Sequence, residues 1–275
     1  MGLSRLLAFT VVVAASVPTC LSAADSGPGA LAAVKARGKL VMVCFPHQDT
    51  PFVHVNLARG PMKRAGTVED FGGVDVDLMA AFAKTLGVEL EIRPISTPSY
   101  AELIPALLAG QGDLIASSFS SSAERAQQVD FSDPYFEVYQ AVLVRSDGAI
   151  AAPRDLAGKR AVVVPGTIME AKIRELGIPE DRIHREGFTR DVLLAVVNKD
   201  ADFTVYELDE YGSATPLLKE FSALKVAFRL GTPETYSIAV PKGSDLRPAI
   251  NDFLAKVKSS GELASIIKKN VNPHT

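Results

Sequence analysis

The chain has 275 residues, of which 47% are hydrophobic, and this is enough apolar material to build a sizeable core and to exclude a disordered protein. Its 29 basic and 32 acidic residues are interspersed and give a formal net charge of -3, which argues against a nucleic-acid partner. At this length two domains of ordinary size are expected.

The first 24 residues differ in character from the rest of the chain. Arg5 supplies a positive charge, an apolar run extends over 6–17, and small residues at 22–24 have the spacing of a cleavage site. This pattern predicts a secretory signal peptide at 1–24 and export to the periplasm. A membrane anchor is the alternative, but about 12 apolar residues are fewer than the roughly 20 that span a bilayer.

Helix and strand patterns alternate through the remaining residues. In the first half, helices are predicted at 31–37, 76–86 and 102–108, and strands at 39–44, 90–94 and 113–116. After an extended segment at 138–144, strands are predicted at 160–164 and 202–205, and helices at 167–176, 190–198 and 246–270. Cys44 ends an apolar strand, so we expect a buried thiol. Such alternation predicts mostly parallel sheets flanked by helices.

Two segments of the chain share one pattern. Residues 101–118 and residues 190–207 each consist of an apolar helix, a short polar turn, an aspartate and a short strand. An internal repeat and ordinary α/β alternation both account for this pattern. A repeat would place Ser118 and Glu207 at equivalent carboxyl ends of strands, where open α/β sheets bind ligands.

Motifs of nucleophiles, metal sites and nucleotide sites are absent from the sequence. The four histidines lack metal-ligand spacing, and no CxxC, GxSxG, GxGxxG or P-loop pattern occurs. We therefore expect no catalytic residue, no metal and no cofactor. The polar stretch SSFSSSAER at 117–125 places hydroxyl groups near Arg125, which can bind a carboxylate through two parallel hydrogen bonds. Taken alone, a solvated loop with a surface ion pair is the commoner explanation.

Three stretches together resemble a known family. They are FGGVDVDLMAAFAKTLG, LEIRPISTPSYAELIPALLAGQGDLIASSFSSSAERAQQVDFSDPY and YSIAVPKGSDLRPAINDFLAKVKSSGELASIIKK. In this order they resemble the family 3 periplasmic amino-acid-binding proteins of ABC transporters, over nearly all of the mature chain. The resemblance implies a monomeric, non-catalytic protein that binds a small zwitterionic, amino-acid-like ligand and delivers it to the membrane subunits of an ABC transporter.

The fold implied by the resemblance is the two-lobe α/β fold of type II periplasmic binding proteins. We expect lobe 1 to comprise residues 25–137 plus 236–275, and lobe 2 to comprise residues 138–235. Each lobe is expected to be a mostly parallel sheet flanked by helices. Two extended segments, near 136–138 and 233–236, would cross between the lobes and act as a hinge.

The resemblance also implies roles for individual residues. By position, Arg125 would bind the α-carboxylate of the ligand together with Ser120. Glu207 matches the acidic residue that holds the ammonium group of the ligand. Ser118 would accept a hydrogen bond from the same ammonium group through its carbonyl or hydroxyl oxygen. Tyr100 falls where an apolar or aromatic residue flanks the ligand side chain.

A strand-to-helix turn in the second lobe would offer main-chain donors to the ligand carboxylate, from Gly166, Thr167 and Ile168. The sequence departs from the family at Asp49, where most relatives have a stacking aromatic residue, and at Glu207, where an aspartate is usual. Two such carboxylates facing the cleft would favour a cationic ligand group. A turn-capping role for Asp49 is the alternative. The segment 53–72 is also longer than the usual hairpin.

Two other functions fit the same scaffold. Cyclohexadienyl dehydratases resemble these binding proteins, and Glu207 or Glu210 would then act as a general acid. An accessory protein of a periplasmic dehydrogenase system is the third candidate, because the altered site would suit a family member that has kept the fold as an interaction surface.

Overall fold

The computed structural model describes residues 29–45, 50–97, 99–208 and 220–271. These residues form two five-stranded sheets, each covered by helices, and a two-stranded ribbon. The predicted signal peptide lies outside the described residues. Within the described part of the chain, the helices are all too short or too polar to cross a membrane.

The helices and strands follow one another in an alternating order. They are α1 (Ala30–Arg37), β1 (Lys39–Cys44), β2 (His54–Val55), β3 (Phe71–Gly72), α2 (Val74–Leu86), β4 (Glu89–Pro94), α3 (Leu103–Leu108), β5 (Leu114–Ile115), β6 (Val129–Phe131), β7 (Phe136–Arg145), β8 (Ala161–Val163), α4 (Ile168–Glu175), β9 (Ile183–Arg185), α5 (Thr189–Val197), β10 (Phe203–Leu208), β11 (Leu224–Tyr236), β12 (Ala239–Pro241), α6 (Leu246–Ser259) and α7 (Glu262–Val271). The helix predicted at 246–270 is therefore two helices, separated at Ser260 and Gly261.

The two sheets have the same plan. Their strand orders are β4-β1-β5-β12-β6 and β9-β8-β10-β7-β11. In each order the first three strands run parallel, and the fourth pairs antiparallel with both of its neighbours. The two-lobe α/β fold is thus confirmed, but the sheets are mixed and not mostly parallel as expected, because two of the four strand pairs in each sheet are antiparallel. The antiparallel pairs arise where the chain returns between the lobes, which alternation of helices and strands along the sequence does not reveal.

The central strand β1 explains why the first core is continuous. Five of its six residues are buried, as expected for a parallel strand that is covered by helices on both faces. Cys44 at its end is fully buried, in agreement with the expectation, and burial raises the pKa of its thiol. Helix α2 packs its apolar face on this sheet through Leu78, Met79 and Phe82.

The segment 53–72 covers an edge of the first sheet. Its ends pair as the ribbon β2–β3, and Gly66 exchanges two main-chain hydrogen bonds with Ile92 of the edge strand β4, at 2.9 and 2.8 Å. Covering an edge strand in this way protects its unpaired main-chain groups.

The two segments with a shared sequence pattern fold alike. Helices α3 and α5 each end in a turn that contains one residue with a positive φ, namely Gly110 at 73° and Lys199 at 70°. Glycine adopts this conformation freely, whereas a residue with a Cβ does so only at a cost. The equivalent positions of these two residues support the internal repeat.

An aspartate follows each turn and makes the same contacts in both sheets. The amide of Asp113 donates to the carbonyl of Val41, and the amide of Asp202 donates to that of Arg160, both at 2.8 Å. In return each carboxylate accepts from the amide of the same partner, at 2.7 and 2.8 Å. Strands β5 and β10 are therefore anchored in matching positions, and the chain continues from their carboxyl ends to Ser118 and Glu207.

Strands β7 and β11 connect the two lobes. They pair with Phe136 opposite Tyr236, where β7 begins and β11 ends, and Ser120 forms a bridge with Tyr236. The crossings lie near the two extended segments anticipated from the sequence. The hinge motion and the lobe boundaries stay predictions.

We expect Lys199→Gly to raise the free energy of unfolding by about 1 kcal/mol, because glycine relieves the left-handed strain. The side chain of Lys199 is exposed, so the change removes no core packing. Urea denaturation measures the effect. Lys199→Ala is the matched control and should stay near the wild-type stability, since alanine keeps a Cβ. A less stable glycine variant would contradict the strain that we assign to this turn.

Candidate ligand-binding site

One cavity between the two lobes collects most of the residues that the sequence singled out. Its volume is about 210 Å³ including its open mouth, and it is lined by Tyr100, Ser118, Ser120, Arg125, Thr167, Ile168, Met169 and Glu207. All of these except Met169 were predicted as site residues. Asp49, the remaining predicted residue, lies outside the described residues.

Arg125 is held on one wall of this cavity by neutral partners. Its guanidinium carbon lies 4.0 Å from the ring centroid of the fully buried Phe119, a cation–π contact. Nη1 donates to the carbonyl of Ser120 at 2.8 Å, and Nη2 donates to the carbonyl of Gly166 at 3.1 Å. Burial lowers the pKa of Arg125 from its usual value, while the nearby Glu207 opposes this change. Two of its five N–H donors are used in these bonds, and the guanidinium can bind an anion with others.

Ser118 has a strained backbone that a buried carboxylate holds in place. Its φ is 44°, and its amide donates to Oδ2 of Asp75 at 2.6 Å. The other oxygen of Asp75 accepts from the hydroxyl of Tyr135 at 2.5 Å. Burial raises the pKa of Asp75 to about 7, and these two hydrogen bonds oppose the rise. Asp75, at the start of α2, therefore fixes the turn that presents Ser118 to the cavity.

Tyr100 forms an aromatic wall that is itself immobilised. Its ring stacks on Phe45 with a centroid distance of 4.5 Å and an interplanar angle of 20°. Its hydroxyl donates to the carbonyl of Ser117 at 3.3 Å and lies 3.5 Å from Oγ of Ser118. Tyr100 thus borders the cavity with a ring whose position is fixed at both ends.

Glu207 supplies the negative charge on the opposite wall. It lies near the carboxyl end of β10, where Tyr236 donates to Oε2 at 2.6 Å and Ser120 donates to Oε1 at 3.4 Å. Burial raises the pKa of Glu207 to about 7, with Glu234 adding to the rise, while Tyr236, Arg125 and Ser120 oppose it. The carboxylate is thus satisfied by two hydroxyl groups and can accept from a cationic group as well.

The start of helix α4 forms the floor of the cavity. Thr167 caps the helix, because its hydroxyl accepts from the amide of Glu170 at 3.3 Å. The side chain of Glu170 reaches back and accepts from the amide of Gly166 at 2.7 Å. The expectation that Gly166 would offer its amide to a ligand was therefore wrong in this structure, because a helix-capping carboxylate occupies that donor. Thr167 and Ile168 remain at the cavity.

A larger cavity continues from this site towards the crossing strands. Its volume is about 850 Å³ including its open mouth, and it shares Tyr100, Ser118, Thr167, Met169 and Glu207 with the smaller one. Apolar side chains provide much of its remaining wall, among them Phe52, Phe136, Val138, Val163, Val205 and Leu208. The polar site therefore opens into a space that can accommodate a side chain.

Three contributing residues were not identified from the sequence. Asp75 was noted within a family motif but without a role, and its signal is an acid between apolar residues at the start of a buried helix. Phe119 and Tyr236 contact the two charged groups only because of the way the turn and the strands pack. Among the described residues, no group of three or more His, Cys, Asp or Glu side chains is placed to hold a metal ion.

The chain is similar to known proteins over most of its length. Residues 53–273 match the family model of bacterial extracellular solute-binding proteins, family 3. A probable histidine-binding protein of Neisseria gonorrhoeae is 30% identical over 249 residues, which are 88% of this chain and 87% of the relative. A membrane-bound lytic murein transglycosylase F of Desulfosudis oleivorans is 33% identical over 244 residues, or 86% of this chain. The chain spans about half of that enzyme, 49% of its length.

Solved structures show the same architecture. An amino acid ABC transporter substrate-binding protein, AbpA, from Streptococcus pneumoniae, bound to L-arginine, superposes with a TM-score of 0.73 at 26% identity. The superposition covers 87% of this chain and 97% of AbpA. Since the family model covers most of the sequence and the relatives share its two-lobe fold, the chain belongs to the bacterial extracellular solute-binding proteins of family 3.

Proposed function

We propose that this protein is exported to the periplasm, captures a small amino-acid-like ligand between its two lobes and delivers it to the membrane subunits of an ABC transporter. In this proposal it acts as a monomer without catalysis, metal or cofactor. The observation that carries the proposal is the placement of Arg125 and Glu207, which come from opposite lobes and line one cavity. A free amino acid at neutral pH carries the complementary pair of charges.

The charges of the site favour a zwitterion over a singly charged ligand. A partly buried guanidinium and a partly buried carboxylate each gain from an opposite charge within a few ångströms, where the dielectric is lower than in water. Arg125 would hold the α-carboxylate, with the hydroxyl of Ser120 and the main-chain groups of Thr167 and Ile168 beside it. Glu207 and Ser118 would hold the ammonium group. Tyr100 would then flank the side chain.

The relatives support a ligand of this class. The neisserial protein is named as a probable histidine-binding protein, and the pneumococcal one is an ABC transporter substrate-binding protein bound to L-arginine. A cationic side chain is one option for this chain, and the acid at Asp49 is the residue that would favour it. The predicted signal peptide at 1–24 supports export, since a transporter-delivered ligand is captured outside the membrane.

A thermal-shift screen of the common amino acids, polyamines and carboxylates tests the proposal. At about 100 times the dissociation constant, a ligand stabilises the folded protein by roughly 2.7 kcal/mol, which raises the melting temperature by several degrees. At least one amino acid should produce this shift and polyamines should not, because they lack the carboxylate. Native mass spectrometry of freshly purified protein should show the mass of a bound amino acid. No shift from any amino acid would refute the proposal.

Replacing Arg125 tests the carboxylate contact. Arg125→Ala should weaken binding about 30-fold or more, since removing one partner of a buried charge pair costs about 2–5 kcal/mol. The affinity of Arg125→Lys should lie between those of the wild type and Arg125→Ala, because a single ammonium keeps the charge but not the two parallel donors. Isothermal titration calorimetry with the ligand found above measures both. Arg154→Ala is the control, since that side chain is 87% exposed. Unchanged affinity in Arg125→Ala would remove this residue from the site.

The raised pKa of Glu207 predicts a pH-dependent affinity. Burial puts the pKa at about 7 in the unliganded protein, so at lower pH the carboxyl is protonated and the ligand ammonium must displace that proton. The dissociation constant should therefore rise about tenfold for each pH unit between 7 and 5, and level off above about 8. Glu207→Gln should bind weakly with a flat profile. A steep profile that survives in Glu207→Gln would assign the titration to another group.

The same raised pKa favours one second candidate, an enzyme of the cyclohexadienyl dehydratase type. A carboxyl that is half protonated near neutral pH and borders a cavity has the property of a general acid. Glu210, the other candidate acid, lies outside the described residues. Incubating the protein with prephenate or arogenate and measuring the concentration of that substrate over time distinguishes the two functions. Only the enzyme would consume it. Loss of substrate in the wild type that disappears in Glu207→Gln would establish the enzyme.

A further inference from the structure

Two turns from opposite lobes meet at the edge of the candidate site. The turn at 99–101 precedes α3 in the first lobe, and Pro165 and Gly166 precede α4 in the second. The amide of Tyr100 donates to the carbonyl of Pro165 at 3.0 Å, and the hydroxyl of Ser99 donates to the same oxygen at 3.4 Å. The lobes are thus joined directly by one hydrogen bond between main-chain atoms and one from a side chain.

Gly166 is the residue that permits this approach. Its φ is 75°, and a Cβ added to it would lie 2.2 Å from the amide nitrogen of Ala101 and 2.8 Å from the Cβ of Ala101. A real Cβ does not come within 3 Å of main-chain atoms. Any side chain at this position would therefore have to push the two turns apart.

The two turns are too rigid to yield locally. On the second lobe, the amide of Gly166 is held by the buried Glu170, whose other oxygen accepts from Arg174 and Arg185 at 2.9 and 2.8 Å. On the first lobe, Tyr100 is buried and stacked on Phe45. A clash between the turns is therefore relieved by separating the lobes, not by a small shift of one loop.

We propose that the contact between Tyr100 and Pro165 is a ligand-independent closure contact, and that Gly166 sets the affinity of the site by allowing it to form. The inference rests on the proposed function, in which the lobes close on a ligand. A contact that exists only in the closed form raises the population of that form and so strengthens the binding of every ligand by the same factor. This factor does not depend on the size of the ligand side chain, because the contact between Tyr100 and Pro165 joins main-chain atoms of the protein.

The chain provides a matched control for this proposal. Gly158, also in the second lobe, has a φ of 74°, and a Cβ added there would have nothing within 4 Å. Gly158→Ala and Gly166→Ala therefore carry the same left-handed backbone strain. They differ in whether the added methyl group meets the opposite lobe.

The first experiment measures affinity by calorimetry for the wild type, Gly166→Ala and Gly158→Ala, with two amino acids that shift the wild-type melting temperature. In Gly166→Ala the dissociation constants of both ligands should rise by the same factor, about tenfold or more. A factor of this size corresponds to the loss of one closure contact. Gly158→Ala should bind as the wild type does. Equal affinities of the two alanine variants would overturn the proposal, and so would a factor that depends on the ligand.

The second experiment needs no ligand. Small-angle X-ray scattering should give a larger radius of gyration for unliganded Gly166→Ala than for the wild type and for Gly158→Ala, and equal values would overturn the proposal. If no amino acid binds the wild type, the proposed function is refuted. The radii of gyration of the three unliganded proteins then still show whether the closure contact forms. Should Gly166→Ala not fold, amide hydrogen exchange of the wild type decides. Slow exchange at Tyr100 supports the contact, and exchange at the rate of an open amide overturns it.

Discussion

The structure depends on one electrostatic arrangement, in which a guanidinium and a carboxylate from different lobes border the same cavity. Charges removed from water need partners, and here those partners are neutral groups. Carbonyl oxygens and the face of Phe119 stabilise Arg125, while hydroxyl groups stabilise Glu207. Such partners hold the charges in position without neutralising them. The cavity therefore keeps a separated pair of opposite charges, which a zwitterion can complete.

The fold produces this arrangement by placing two similar sheets with their strand ends facing each other. Strand β5 leads to Ser118 and β10 ends beside Glu207, after equivalent aspartates that anchor both strands in the same way. In each sheet the side that faces the cavity is the carboxyl end of parallel strands, where loops and helix starts supply polar groups. The returning strands β7 and β11 hold the two sheets together at Phe136 and Tyr236. Tyr236 links this junction directly to the site, because its hydroxyl binds Glu207.

Rigid supports around the cavity explain why small changes should have measurable effects. Asp75 fixes the strained turn at Ser118, and Glu170 fixes the turn at Gly166. Both carboxylates are buried and hydrogen-bonded, so their positions are well determined. Each wall is thus supported by a buried carboxylate of its own lobe. A methyl group added at Gly166 would meet the opposite lobe at the point where the two turns touch.

The sequence by itself determined the alternating elements, since apolar periodicity is a local property of the chain. Its ordered motifs carry the resemblance to the two-lobe family, and that resemblance pointed to seven of the residues that line the cavity. The sequence left an internal repeat and ordinary α/β alternation as alternatives, and the matching turns at Gly110 and Lys199 support the repeat. The antiparallel strands, the contact of Arg125 with Gly166 and the partners of Glu207 were decided by the tertiary structure alone. The hydrogen bond from Tyr236 to Glu207 and the close approach of Gly166 to Ala101 join residues that are far apart in the chain or on opposite lobes. Such contacts depend on strand register and lobe packing, and no local pattern of residue types encodes them.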